Sequence, residues 1–160
     1  QGLDVYQYLT ERYGTKEANR KLDMAKFAAY SQDLTVDIEH MKRMPNSRLA
    51  HQAILALDNI FDQFALTQAL FHAIFAHGKD IANPEVLKQI IEGMGLDGTK
   101  VLRSIQHKEI ADKQTEITHY VQGFGKHPTP YYIVDGEIWD KTFDTLELKD
   151  LITNRAKDVA

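Results

Sequence analysis

The sequence predicts an α/β protein in which helices dominate and one β-hairpin followed by a helix closes the chain. Two observations predict this class. About seven segments carry apolar residues at helical spacing, and residues 131–139 combine an aromatic, β-branched run with a two-residue turn. A hairpin followed by a helix is typical of the second half of an α/β layer, and no first half is found. We therefore expect residues 1–160 to hold an incomplete sheet.

The hairpin is the best-defined β element of the sequence. Tyr131–Val134 is rich in the aromatic and β-branched residues that a half-buried pleated surface favours. Asp135-Gly136 is typical of a type I′ turn, because both residue types tolerate positive φ, and Glu137–Trp139 returns as the second strand. Since a two-stranded hairpin alone is marginally stable in water, we expect it to form the edge of a larger sheet.

The helices are predicted from apolar spacing and from residues that begin or end helices. Asn83-Pro84 places asparagine at an N-cap and proline at the first helical position. The predicted helices cover residues 3–13, 16–33, 48–59, 61–77, 84–92, 99–104, 107–122 and 142–156. The segments 48–59 and 61–77 form either two helices or one kinked helix. The aromatic residues between Phe61 and Phe75 are at helical spacing and are expected in the core.

Composition and charge limit the classes of partner. The 160 residues are 43% hydrophobic and 26% charged, which is ordinary for a globular domain with one core. A net charge of −4 and the lack of a basic stripe argue against a nucleic-acid partner. No run approaches the roughly 18 apolar residues that span a bilayer, which argues against a membrane. The amphipathic N-terminus does not resemble a signal peptide, and its lack of methionine favours a processed or trimmed chain.

The chain contains no cysteine, and its histidines do not follow a metal-binding pattern. The lack of cysteine excludes a disulfide, a thiolate nucleophile and cysteine-bound zinc within these residues. The seven histidines are His40, His51, His72, His77, His107, His119 and His127. No two have the four-residue spacing that places two ligands on one helix face. His72 and His77 are five residues apart and are expected to diverge, and His51 is expected to be partly buried. No metal site is predicted.

Several short segments follow one another in a characteristic order. They are Gly2–Leu9, Tyr13–Gly14, Met44–His51, Ala69–Phe75 with Gly78–Ile81, Pro84–Leu87 and Gly125–Trp139. Met44–His51 is similar to an R-P-N-T-x-x-A-H stretch. In this order and spacing, the segments resemble the DsbA family of thioredoxin-fold proteins and, within it, the FrnE-like branch.

This resemblance implies a fold and a division of the chain. The fold is an α/β thioredoxin-like (DsbA-like) domain with a large helical insertion. Residues 1–122 correspond to the inserted helical domain, and residues 123–160 to the C-terminal hairpin and helix of the thioredoxin-like domain. The Cys-x-x-Cys half has no counterpart in this chain. Either the chain is part of a longer protein, or a partner or a second subunit completes the sheet.

The resemblance also implies site residues. Thr129-Pro130 matches the position at which a cis-proline faces the redox dithiol, and the residue before it presents backbone hydrogen bonds to an extended substrate. His127 would border the same groove, where it could contact substrate or tune the pKa of a thiol. The simpler interpretation is a trans-proline at a strand entrance and a solvent-exposed loop histidine.

The function implied by the resemblance is that of a thiol–disulfide oxidoreductase of the DsbA/FrnE type. Its partner would be an extended peptide or a protein thiol, it would need no cofactor, and residues 1–160 alone would be inactive. One alternative is a cysteine-free peptide-binding or chaperone-like module. Another is a DsbA-like isomerase that uses glutathione, with its ligand near the proline loop. The similarity to FrnE-like relatives implies a cytoplasmic protein, or a periplasmic one if a signal peptide is removed.

Overall fold

The computed structural model describes residues 2–31, 35–37, 42–127, 131–139 and 143–158. Eight helices account for most of these residues: α1 Val5–Tyr13, α2 Thr15–Ser31, α3 Arg48–Leu55, α4 Ile60–Phe75, α5 Pro84–Gly93, α6 Gly98–Ser104, α7 Lys108–Gly123 and α8 Thr145–Asp158. Four short strands complete the order: β1 Leu3–Asp4, β2 Arg43–Met44, β3 Tyr132–Val134 and β4 Glu137–Trp139. The predicted predominance of helices, with a hairpin and a helix at the end, is confirmed.

Short polar side chains begin the helices where the sequence carries capping residues. The Asn83 carboxamide accepts a hydrogen bond from the Glu85 amide at 2.9 Å, and Pro84 occupies the first turn, as predicted for α5. At α6, the Asp97 carboxylate accepts from the Lys100 amide at 2.8 Å. Each cap satisfies an amide that the first helical turn leaves without a partner.

The junction that the sequence leaves open is resolved as two helices, α3 and α4. Helix α3 ends at Leu55, four residues earlier than predicted from apolar spacing. Asn59 then starts α4, because its side-chain oxygen accepts from the Phe61 amide at 2.9 Å. The break separates two helices that pack against each other in the core.

The core lies among α3, α4, α5 and α6. Leu66, Leu87 and Ile91 are the largest side chains that are completely buried. The buried cluster consists of Ala50, Ala53, Leu57, Leu66, Leu70, Ile81, Leu87, Ile91, Val101 and Ile105. Within α3, α4 and α5 the buried residues recur at intervals of three or four positions, so that one apolar stripe per helix faces the cluster.

The prediction that the aromatic residues of α4 lie in the core is wrong for most of them. Phe61, Phe64 and Phe71 are 78%, 63% and 56% exposed, whereas Leu66 and Leu70 are buried. The reason is that α4 is apolar around most of its circumference, while only one face of a helix can pack against α3 and α5. The leucine face occupies the core and the phenylalanine face remains outside.

A second strand pair, absent from the sequence predictions, joins the start of the chain to residues 43–44. Strands β1 and β2 are antiparallel, with Leu3 opposite Met44 and Asp4 opposite Arg43. Two-residue strands are too short to produce a periodic pattern, so the sequence predicts Leu3 within the first helix. Asp4 instead caps α1 by accepting from the Gln7 amide at 2.8 Å.

The C-terminal hairpin is confirmed in position and turn type. Tyr132 pairs with Trp139 and Val134 with Glu137. Asp135 and Gly136 have φ values of 51° and 81°, as a type I′ turn requires. In the described part of the chain, β3 and β4 pair only with each other.

Replacing Gly136 with alanine is expected to lower the free energy of unfolding by about 1–2 kcal/mol, because an L-residue is strained at this positive φ. A Cβ atom at this position would meet nothing within 4 Å, so strain is the sole expected cost. Urea denaturation measures the effect. Gly123→Ala is the matched control. A Cβ atom there would also meet nothing within 4 Å, but Gly123 ends helix α7, so this replacement is expected to be neutral or stabilising.

Two compact units divide the chain, Gln1–Glu116 and Ile117–Ala160, and the division falls within α7. The buried cluster belongs to the first unit, and the hairpin belongs to the second. The assignment of residues 1–122 to an inserted domain and 123–160 to a thioredoxin part stays a prediction.

Candidate functional site

The predicted substrate loop lies between α7 and β3. Thr129 and Pro130 fall outside the described residues, so their predicted roles stay predictions. The flanking residues His127 and Tyr131 are described and are both half-buried. Gly125, with φ at 89°, lets the chain turn immediately after α7.

His127 is held in a defined orientation rather than lying free in solvent. Its Nε2 atom is 2.7 Å from the carbonyl oxygen of Phe124. Because a carbonyl can only accept, Nε2 carries the hydrogen and donates it. The ring centroid also lies 5.2 Å from that of Tyr131. These two contacts hold the imidazole ring in place at the start of the loop.

Three aromatic rings fix the hairpin that follows the loop. Tyr132 and Trp139 are cross-strand partners. The Phe143 ring lies 5.4 Å from Tyr132 and 5.7 Å from Trp139, measured between centroids. Such aromatic pairs add packing energy beyond the burial of their area. The sequence predicts Phe143 within the last helix, but α8 begins at Thr145 and Phe143 precedes it as part of this cluster.

The remaining histidines do not converge on a site in the described part of the chain. His72 and His77 were expected to diverge, but their rings meet edge to face at 4.8 Å. The prediction failed because α4 ends at Phe75, so His77 no longer follows the helical rotation. His51 is exposed rather than partly buried, and His40 lies outside the described residues. No group of three or more metal-ligating side chains occurs among the described residues.

An apolar cavity of about 770 Å³ lies along the exposed side of α4. Its described lining consists of Thr35, Val36, Ala65, Gln68, Ala69, Phe71, His72 and Phe75. None of these residues carries a formal charge when histidine is neutral, and Gln68, His72 and Thr35 are the polar members. A mostly apolar cavity of this size with a few polar groups is typical of binding sites. The sequence does not predict this cavity, because helical spacing places the phenylalanines in the core.

A cationic and aromatic cluster joins α1 to α2 at the surface. The Arg12 guanidinium lies 5.6 Å from the Tyr13 ring and donates to the Tyr8 hydroxyl at 2.8 Å. The electrostatic interaction with Tyr13 and the hydrogen bond to Tyr8 raise the pKa of Arg12. Lys21 of α2 lies 4.6 Å from the same Tyr13 ring. The cluster is a contact between helices rather than a reactive site.

None of the described helices is both long enough and apolar enough to cross a bilayer.

Comparison with known proteins identifies the family. No curated protein and no solved structure matches the chain significantly. The family model of the DSBA-like thioredoxin domain matches residues 11–152. This match covers most of the chain, from within α1 to within α8, and it includes the loop with Thr129 and Pro130. The chain therefore belongs to the DSBA-like thioredoxin domain family.

Proposed function

We propose that this protein acts in thiol–disulfide exchange as a DsbA-type oxidoreductase of the FrnE-like branch. The match to the DSBA-like thioredoxin domain over residues 11–152 carries the proposal. Because the 160 residues contain no cysteine, the proposal requires a redox dithiol in polypeptide outside residues 1–160. The substrate class is an extended protein segment with cysteine side chains.

The chemistry proposed is disulfide exchange through a mixed disulfide. A substrate thiolate attacks one sulfur of the dithiol's disulfide, and the other sulfur leaves as a thiolate. A second substrate thiolate then attacks the mixed disulfide, so that the substrate gains a disulfide and the dithiol gains two electrons and two protons. Reduction of a substrate disulfide follows the same steps in reverse.

The residues of this chain would hold the substrate in place. Under this proposal, Thr129 and Pro130 would hold the extended substrate. Support for His127 in this role comes from its fixed ring, since Nε2 donates to the carbonyl oxygen of Phe124. A neighbouring imidazole of this kind can stabilise a thiolate or exchange a proton with it.

The test requires the complete reading frame and its product. We expect a Cys-x-x-Cys pair outside residues 1–160 and catalysis of disulfide exchange in a model protein substrate. Residues 1–160 alone should have no such activity. Pro130→Ala in the complete product should lower kcat/KM by roughly 10- to 100-fold, because small changes in positioning have effects of this size. Pro84→Ala, at the start of α5, is the matched control and should leave kcat/KM unchanged.

Two results would contradict the proposal. One is a complete reading frame without a cysteine pair. The other is a product whose exchange rate is equally sensitive to Pro84→Ala and Pro130→Ala, since this would indicate a general loss of structure instead of a substrate loop.

A cysteine-free peptide-binding module is the second candidate. Two observations favour it: the chain has no cysteine, and β3 pairs with β4 alone among the described residues, which leaves an edge that an extended peptide could join.

This function predicts that residues 1–160 bind a fluorescently labelled, unfolded peptide, measured by anisotropy. Ile133→Pro would remove a β3 amide and should weaken binding at least 10-fold. Equal binding by both proteins would argue against it.

A further inference from the structure

Helix α4 exposes aromatic residues at the spacing of a helix–helix seam. Phe61, Phe64, Gln68, Phe71 and Phe75 are separated by three, four, three and four residues. A repeat of 3.5 residues keeps one stripe of a helix facing a second helix along its length. These five residues are called the α4 seam below.

The α4 seam lies on the outside of the first unit. Phe61, Phe64 and Phe71 are 78%, 63% and 56% exposed. The core is instead contacted by Leu66, Leu70 and Ala73 on the other side of the helix. Soluble proteins rarely expose contiguous aromatic surface of this kind unless it binds another molecule.

We propose that the α4 seam binds the same seam of a second copy, so that the protein forms a homodimer with two antiparallel α4 helices at its centre. An isologous interface must be complementary to itself. The seam meets this condition. When two antiparallel helices cross at Gln68, Phe61 lies opposite Phe75 of the second copy, and Phe64 lies within one residue of the position opposite Phe71. The described residues that line the adjacent cavity carry no formal charge when histidine is neutral, so the cavity adds no repulsion between like charges.

Gln68 suits the centre of such a pair. Its carboxamide has both donor and acceptor groups, so it can bond to the same group of the second copy. A single polar residue within an apolar seam fixes the register of two helices. The twofold axis is therefore expected close to Gln68.

The cavity beside the seam provides space for a side chain of the second copy. Thr35 and Val36 form one wall, and Phe71 and Phe75 form another. The Asp37 amide donates to the carbonyl oxygen of Phe75 at 2.7 Å, which fixes this segment against the end of α4. A phenylalanine from the second copy would fill this space as a knob fills a hole.

The exposed area predicts a weak dimer. An aromatic side chain buries about 150–250 Å², so the three exposed phenylalanines offer about 400 Å² per copy. A standard interface buries about 800 Å² per partner. The aromatic atoms thus supply about half of this area. A dissociation constant on the order of 1 μM is expected, and dimerisation should depend on concentration.

Sedimentation of residues 1–160 over a range of concentrations tests the proposal. The wild-type chain should pass from monomer to dimer. Phe64→Glu combined with Phe71→Glu should raise the dissociation constant at least 10-fold, because it places four carboxylates in the interface. Phe64→Lys combined with Phe71→Lys should dimerise as weakly as the glutamate variant, and mixing the two variants should restore association. Phe27→Glu, on α2 and 72% exposed, is the matched control and should dimerise like the wild type.

Disulfide cross-linking tests the position of the axis. The chain has no cysteine, so Gln68→Cys introduces a single thiol. Close approach of the two copies at this point should permit a disulfide, which requires Cα atoms about 4.4–6.8 Å apart. Mild oxidation should cross-link Gln68→Cys much faster than Phe27→Cys.

The proposal is independent of the redox chemistry, because all of these measurements use the chain without a dithiol. A chain that remains monomeric at concentrations far above 1 μM would overturn it. So would a dimer that the charged seam variants leave intact, or a dimer that Phe27→Glu disrupts to the same extent. Loss of peptide binding by a monomeric seam variant would assign the seam to a peptide instead.

Discussion

Replacing Leu66 with alanine should remove about 2–5 kcal/mol from the free energy of unfolding. Leu66 is completely buried and belongs to the cluster among α3, α4, α5 and α6. Its truncation loses the transfer energy of the side chain and leaves a cavity that the neighbours fill only in part. Because domains of this size are stable by about 5–15 kcal/mol, the variant should unfold at a much lower urea concentration. Circular dichroism follows the helices during this titration.

Phe64→Ala provides the matched control on the same helix, two residues away. Phe64 is 63% exposed, so its truncation should change the free energy of unfolding by less than about 1 kcal/mol. The samples should be dilute enough to be monomeric, so that self-association does not contribute to the measured free energy of unfolding. Equal losses for the two variants would contradict the assignment of the leucine face to the core and the phenylalanine face to the surface.

Replacing Gly98 with valine should produce the second large effect. Gly98 is buried at the start of α6, where α6 contacts α5. A Cβ atom there would lie 2.9 Å from both the carbonyl oxygen and the Cγ atom of Lys88. The lysine side chain can move away, but the carbonyl belongs to the backbone of α5 and cannot. Overpacking of this kind costs about 1–3 kcal/mol, so alanine should be destabilising and valine more so.

Gly93→Ala separates this steric effect from the general effect of replacing glycine in a helix. Gly93 ends α5, and a Cβ atom there would meet nothing within 4 Å. Alanine at this position should raise stability by about 0.5–1 kcal/mol, because glycine is the more flexible residue in the unfolded chain. Thermal denaturation of the two glycine variants should therefore give shifts of opposite sign. If both raise the melting temperature, α6 does not pack against α5 as closely as described.

The parts of the fold that the sequence predicts well are those set by local chemistry. Asn83-Pro84 starts a helix because an amide side chain and a fixed φ suit its first turn. Asp135-Gly136 forms a type I′ turn because both residues accept positive φ. In each case, the determining interactions lie within a few residues of each other.

The parts that the sequence does not predict depend on contacts between distant residues. Helix α4 has apolar residues on more than one face, and only the positions of α3 and α5 decide that Leu66 is inside and Phe64 outside. The pairing of Leu3 with Met44 joins residues 41 positions apart, and neither strand has a pattern of its own. His77 approaches His72 only because the helix ends between them.

The candidate site also has features that the sequence predicts and features that depend on packing. His127 was identified through the resemblance to the family, and the structure shows how its ring is held. The acceptor is a backbone carbonyl, that of Phe124, and no side-chain pattern marks a carbonyl as a partner. The cavity beside Gln68 and Phe71 was missed for a related reason, because exposure of an aromatic stripe is a property of packing rather than of spacing.

The ring cluster around Trp139 gives the protein an intrinsic optical probe. Trp139 is the only tryptophan in the sequence, and its ring lies 5.7 Å from that of Phe143 in the second unit. Its emission therefore monitors the hairpin, whereas far-ultraviolet dichroism is dominated by the helices, most of which lie in residues 1–116. In a denaturant titration, the two curves coincide if the chain unfolds in one step and separate if the units unfold independently. The cooperativity between the two units can thus be measured on the unlabelled protein.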